Sequence, residues 1–446
     1  SRSTAVHLLC KKRETSTPVS RQISRDANSH SARNGTIGQA LELGMSRRGF
    51  FKSGWKLAGA AGLPLLVGQP LNAAEVSNRE AAVSASKVAA QQFDTRLVLL
   101  GTAGGPVWWP NCDREGISSA LVVGDAVYVV DCGDGVGKRY KQAGLGQNNL
   151  VSGMSGMENL RGIFLTHLHS DHTVDYFNLF LFGWYNGLTG VKQPVHVYGP
   201  GPRGQLEPIF TPPGQPPRKE PALVNPENPT PGTVDMTNYL YQAFAVDIND
   251  RLRDAGRQDL RELIKVHDIK LPHIPGFKSP NETPEPEMAP FVIHEDDRVR
   301  VSATLVNHFP IWPAYAYRFD TDDGSVVFSG DTCPSKNLIR LAKDVDVLVH
   351  EVIDVAWVDA LFPPPVTAKE EAFKNHLLSS HTSIDDVGKV AEAAGAKTLV
   401  LSHIAPGHAP KENLMRAQRN FSGQLIVGDD LMQIGVGRKR SKRKSG

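Results

Sequence analysis

The stretch Thr166-His167-Leu168-His169-Ser170-Asp171-His172 constrains this chain more than any other. Three imidazoles and a carboxylate fall within six residues, directly after residues 161–166, an apolar run that reads as a buried strand. In an extended or turning segment His167 and His169 project to one side and can share one ion, while Asp171 and His172 can reach a second. Imidazole combined with carboxylate suits zinc, with manganese or iron as alternatives. A lone HxH is most simply a polar loop; HxHxDH at a strand end points to metal. None of the four cysteines (Cys10, Cys112, Cys132, Cys333) sits in a CxxC pair, so no cysteine-based site is indicated.

Strand and helix patterns alternate on both sides of this loop. Strands are expected at 96–100, at 118–123 and 126–131 as a hairpin around Gly124-Asp125, and at 195–198, with helical stretches at 75–93, 133–143 and 173–185. Strands resume at 299–308, 314–319, 325–329, 345–350 and 398–402, with helices at 335–342, 368–378 and 383–394 and a last helix and strand closing at Val427. Between the halves, residues 200–290 are Pro-rich with one long helical stretch, 234–264; they read as an insertion forming a lid or pocket wall over the site. The alternation predicts an α/β fold of two sheets sandwiched by helices.

In its motifs the chain resembles the metallo-β-lactamase superfamily. HxHxDH is the signature of that group, and the likeness continues in order over nearly all of residues 96–428. Val130-Asp131-Cys132-Gly133 looks like its early Asp-Cys-Gly motif, whose aspartate supports the metal site. His308 matches the third histidine of the first metal, Asp331 in Ser329-Gly330-Asp331-Thr332 the aspartate bridging both, and His403 the final histidine. The resemblance implies a four-layer αββα sandwich carrying two divalent ions. One would bind His167, His169, His308 and Asp331, the other Asp171, His172, Asp331 and His403. Val349-His350-Glu351 and Ser380-His381-Thr382-Ser383 are similar to motifs of the ribonuclease Z-like and arylsulfatase-like branch. They imply that His381 sits beside the scissile group as acid or oxyanion donor and that Glu351 orients it. A bridging hydroxide, oriented by Asp171, would be the nucleophile. His350, His376 and His408 read as structural or surface residues.

The front of the chain reads as an address. Met45-Ser46-Arg47-Arg48-Gly49-Phe50-Phe51-Lys52 and the weakly apolar residues 55–68 resemble a twin-arginine export signal, cleaved near Ala73 or Ala74. Residues 1–44 are expected to be a disordered lead-in, 45–74 the signal, 95–430 the hydrolase domain, and 438–446 a basic disordered tail. Export implies a bacterial periplasmic or secreted enzyme, with the twin-arginine machinery as a partner and a homodimer left open. Residues 75–437 carry 32 basic and 44 acidic residues, and this acidic body argues against nucleic acid as a partner. His308 and Asp331 are only 23 residues apart, which leaves no room between them for the tRNA-gripping arm of ribonuclease Z. The expected substrate is therefore a small aryl or alkyl sulfate or phosphate ester. The alternatives are a phosphodiesterase or ribonuclease Z-like nuclease, a lactonase, and, outside enzymes, a metal-binding scaffold.

Overall fold

The computed structural model describes residues 73–146, 153–211 and 214–440. The expected lead-in, nearly all of the export signal and the end of the basic tail, 441–446, lie outside the described residues. The described residues all fall in one of the two units into which the chain divides, Leu66–Gly446.

Six strands open the described fold after the helix Ala73–Ala90: β1 (Thr95–Gly101), β2 (Ser118–Val123), β3 (Ala126–Val130), β4 (Leu160–Phe164), β5 (Val195–Pro200) and β6 (Ile264–Ile269). Seven more follow: β7 (Phe291–Glu295), β8 (Arg300–Leu305), β9 (Tyr315–Asp320), β10 (Ser325–Phe328), β11 (Val347–Ile353), β12 (Thr398–Ala405) and β13 (Gln424–Val427). The last strand, β14 (Gln433–Gly435), returns to pair antiparallel with β1. Two seven-stranded sheets result, ordered β14-β1-β2-β3-β4-β5-β6 and β13-β12-β11-β10-β9-β8-β7.

The side-chain period of two dictates the layering. Along β1, Leu97 and Leu99 enter the core between the sheets, while Val98 and Leu100 enter a second core under the helices Val136–Gln142 and Asn178–Gly183. On β12, Val400 points between the sheets and Leu399 and Leu401 point to a third core beneath Ile384–Ala394. Strands buried on both faces need helices on both outer surfaces, and the four-layer αββα sandwich follows.

Three features differ from the sequence expectation. The helix expected at 173–185 is broken into Ser170–Thr173 and Asn178–Gly183. Asp175 explains the break: its N–H donates to Cys132 O (3.1 Å) and its carboxylate accepts from Gly135 N (2.8 Å), so the residue ties the histidine loop to the Asp131 loop rather than continuing a helical ladder. The long helix expected at 234–264 is three helices, Thr233–Ala243, Ala245–Arg253 and Leu260–Leu263, which run into β6. β6 pairs parallel with β5 over six residues, so part of the 200–290 segment is an edge of the first sheet. Strands β7 and β14 and the helix Val355–Leu361 carried no signal strong enough to read.

One close approach in the outer layer is testable. A Cβ on Gly388, inside the helix Ile384–Ala394, would stand 2.1 Å from Ala417 O. Gly388→Ala gains about 1 kcal/mol of helix propensity, yet the backbone contact must separate, at about 1–3 kcal/mol. The expected outcome is a lower thermal midpoint, read by circular dichroism; a rise would show that the contact yields freely.

Candidate metal centre

The site lies where strands from both sheets end. β4 runs out at Phe164, and Leu165 and Thr166 carry the chain into His167. Thr166 is the hub that the sequence did not single out. Its N–H donates to Asp131 Oδ1 (2.7 Å) and its hydroxyl to Asp131 Oδ2 (2.8 Å), while His172 Nδ1 lies 2.9 Å from the same Oδ2. Asp131 thus fixes both ends of the histidine loop by hydrogen bonds to a charged acceptor, each contributing about 1.5–3 kcal/mol. A proton on His172 Nδ1 leaves Nε2 to face the centre. The backbone is held in unusual conformations at two of these positions, φ being 59° at Asp131 and 47° at His403.

The seven side chains expected to bind metal converge. His167 Nε2 lies 3.0 Å from His169 Nδ1, and His308 Nε2 lies 3.2 Å from that same nitrogen. The other ring nitrogen of His308, Nδ1, is 2.9 Å from Ser380 O and donates to it, so Nε2 presents a lone pair to the cluster. On the other side, His403 Nε2 stands 3.3 Å from Asp171 Oδ2 and 3.2 Å from Asp331 Oδ2, and His172 Nε2 3.4 Å from Asp331 Oδ2. Asp331 Oδ2 is also 3.9 Å from His167 Nε2 and 3.7 Å from His308 Nε2. One carboxylate oxygen therefore faces both sets. The donor atoms of His167, His169 and His308 lie within 4.8 Å of one another, as do those of Asp171, His172, Asp331 and His403.

Electrostatics favours cations at both places. Burial pushes His167 well below its usual range and His308 down to about 3, so these imidazoles are neutral and basic nitrogens face each other. Across the site burial also opposes charge on His172, but the Asp331, Asp131 and Asp171 carboxylates overrule it and hold its proton well above the usual range. Asp331 and Asp171 stay ionised despite burial because His403 and His172 face them. A buried cluster that draws in a proton and leaves His172 Nε2 without a hydrogen-bond partner among the described residues has the chemistry of a divalent-cation cage. Gly104 permits the close packing: a Cβ there would stand 2.6 Å from His403 Nδ1.

His381 and Glu351 form a pair against this cage. His381 Nδ1 lies 3.1 Å from Glu351 Oε1, which also accepts from the N–H groups of Thr332 (3.0 Å) and Thr382 (3.1 Å). Burial lowers the His381 pKa, but the Glu351 carboxylate outweighs it and the imidazole is pushed up to about 9. Its ring is 5.0 Å from that of His308 and 5.9 Å from that of His403. Beyond His169 opens a cavity of about 390 Å³ walled by Pro200, Pro231, Pro310, Met236 and Trp312, with Arg203 among the few polar groups. Of the other aromatic residues near the site, Tyr315 is core and Trp108 is almost fully exposed.

No protein-family model matches the chain. Ribonuclease Z of Mycobacterium bovis (strain BCG / Pasteur 1173P2) is 29% identical over 347 residues, covering 77% of this chain and 99% of that protein. The chain is an α/β sandwich of two seven-stranded sheets and is similar to ribonuclease Z along almost the full length of that protein. Ribonuclease Z of Mycobacterium sp. (strain KMS) is 29% identical over 343 residues, 76% of this chain and 95% of that one. Among solved structures, the short form of human tRNase Z is 17% identical with a TM-score of 0.47, covering 77% of this chain and all of that one. A metallo-β-lactamase fold protein of Bacillus subtilis is 16% identical with a TM-score of 0.46, covering 76% and 98%.

The buried histidine–carboxylate site and these relatives support a metal-dependent hydrolase. The expectation against nucleic acid is corrected: the relatives matched across this chain are ribonucleases by name. The physical error lay in reading the net charge of the whole body. That charge governs long-range steering, whereas a phosphate at the centre meets the local field of bound cations. The short spacing from His308 to Asp331 excludes an arm at that one place and says nothing about the rest of the chain.

Proposed function

We propose that this chain is a two-metal phosphodiesterase acting on RNA. The observation that carries the reading is Asp331 Oδ2, which faces both the three-histidine cluster and the cluster of Asp171, His172 and His403, in a chain similar to ribonuclease Z over 347 residues. His167, His169 and His308 would hold one ion, Asp171, His172 and His403 the other, and Asp331 both; zinc suits this donor set best. Ions bound there supply Lewis acidity at the scissile phosphate and lower the pKa of water toward neutrality. The Asp171 carboxylate, at the edge of the second cluster, orients the incoming water. His381, protonated at neutral pH, gives its proton to the leaving oxygen, and Glu351 fixes the ring in place for that transfer.

A small aryl ester is the second reading, favoured by the proline-walled cavity beside His169. Its apolar lining and its volume of about 390 Å³ suit one flat group. The deciding assay uses zinc-loaded protein with an RNA oligonucleotide, bis(p-nitrophenyl) phosphate, p-nitrophenyl phosphate and p-nitrophenyl sulfate. The expected result is cleavage of the RNA and of the diester, lost on chelation and restored by zinc. Turnover of the sulfate alone would replace the first reading with the second, and RNA left intact by enzyme active on the small diester would remove nucleic acid as the substrate.

A further inference from the structure

Beneath the metal centre, between the two sheets, lies a second cavity of about 30 Å³, lined among others by Ser119, Ser402, Asp331 and Glu351. All four residues are more than nine-tenths buried. Among the described residues, Ser119 Oγ, Ser402 Oγ, Asp331 Oδ1 and Glu351 Oε2 have no hydrogen-bond partner. The strand period aims three of them inward, and Asp331 joins them from the loop after β10. Leu121 and Val123 on β2 face the core between the sheets, so Ser119 does too; Val400 sets the same face for Ser402 on β12, and Val347 and Val349 for Glu351 on β11. Both carboxylates use their other oxygen elsewhere, Asp331 Oδ2 toward the histidines and Glu351 Oε1 toward His381, Thr332 and Thr382.

Buried polar atoms left unpaired each cost about 1–3 kcal/mol, and four around one small space call for a common partner. A water needs about 10–15 Å³ of such space and two to four polar neighbours. The balance of donors fits. Two carboxylate oxygens can accept, two hydroxyls can donate, and a water donates twice and accepts twice.

We propose that Ser119 and Ser402 hold a water that donates to Asp331 Oδ1 and Glu351 Oε2, linking the carboxylate shared by the metal clusters to the one that orients His381. The two serines are positioning residues: neither touches substrate or metal, and both act through carboxylates that do or that hold His381. Second-layer partners of this kind set ligand orientation, and losing one typically weakens metal binding about 10–100-fold. The inference rests on the reading of this site as a metal centre, but not on which ester it cleaves.

The test joins a high-resolution crystal structure of the zinc-loaded full chain to zinc-affinity measurements by chelator competition. An ordered water within hydrogen-bond distance of at least three of the four atoms is expected; an empty cavity overturns the proposal. Ser119→Ala/Ser402→Ala is expected to bind zinc about tenfold more weakly. Ser118→Ala is the control, since that neighbouring serine is equally buried and unpartnered among the described residues but does not line the cavity. Unchanged affinity in the double variant, or an equal loss in the control, overturns the positioning role. Wild-type protein that binds two zinc ions yet cleaves no phosphodiester would remove the proposed function and leave this result standing.

Discussion

Asp331→Ala is expected to abolish measurable turnover, with kcat/KM falling by at least about four orders of magnitude, or about 5.5 kcal/mol of transition-state stabilisation. The size follows from position. Asp331 Oδ2 lies 3.2–3.9 Å from imidazole nitrogens of His403, His172, His308 and His167, drawn from both clusters. Removing it leaves the first set as three neutral imidazoles with no anionic donor, and the second with the Asp171 carboxylate alone. Both ions should therefore leave, and metal analysis of the purified variant should return well under one zinc per chain. Asp331→Asn separates charge from shape: it keeps the hydrogen-bonding outline but not the anion, so it too should lose metal. Retention of both ions by the asparagine variant would mean that neutral donors suffice and that the bridging reading is wrong. The carboxylate is buried and faced by His403 and His172, so its loss also leaves positive charge unpaired. The apo variant should therefore be no more stable than apo wild type, which makes any loss of activity with full metal content a separate result.

What could be read from the sequence depended on whether a feature is local. His167, His169, Asp171 and His172 stand in one short loop, and their chemistry is visible without any fold. His308 and Asp331 are single residues beyond the ends of β8 and β10, and His403 lies within β12, each unremarkable alone; only resemblance assembled them with the loop. Asp131 and Glu351 were readable as supports through the same resemblance, but the main-chain supports were invisible: Ser380 O fixing His308, and the Thr332 and Thr382 N–H groups fixing Glu351. Thr166 and Asp131 were both in view, one beside His167 and the other in the Asp-Cys-Gly motif, but nothing local showed that they pair across 35 residues. Strand β6 was hidden for another reason. Its sequence, IKVHDI, carries charge on a half-buried edge, and a helical pattern precedes it directly. The break at Asp175 came from tertiary hydrogen bonds that override a helical pattern.

His381→Ala is expected to lower kcat about 10²- to 10³-fold on RNA while leaving two zinc ions in place. An alkoxide leaving from a nucleoside needs a proton, and His381 is the group beside the cage that carries one: Glu351 raises its pKa to about 9, so the acid form dominates at neutral pH. p-Nitrophenolate leaves without that help. The same variant should therefore lose far less, about tenfold or below, on bis(p-nitrophenyl) phosphate, because the acid term of about 10²–10⁴ no longer enters. Equal losses on the two substrates would show that His381 steadies charge on the phosphoryl oxygens and is no proton donor. Loss of zinc would make it a ligand, which its position allows, since His381 lies within ligand distance of one set formed with His308 and Asp331 and another with Glu351 and His403. Glu351→Gln sharpens the contrast. It keeps an acceptor for His381 Nδ1 but removes the charge that holds the proton, so the loss should again be confined to the poor leaving group, and a comparable loss on the nitrophenyl diester would place Glu351 in the metal cage instead.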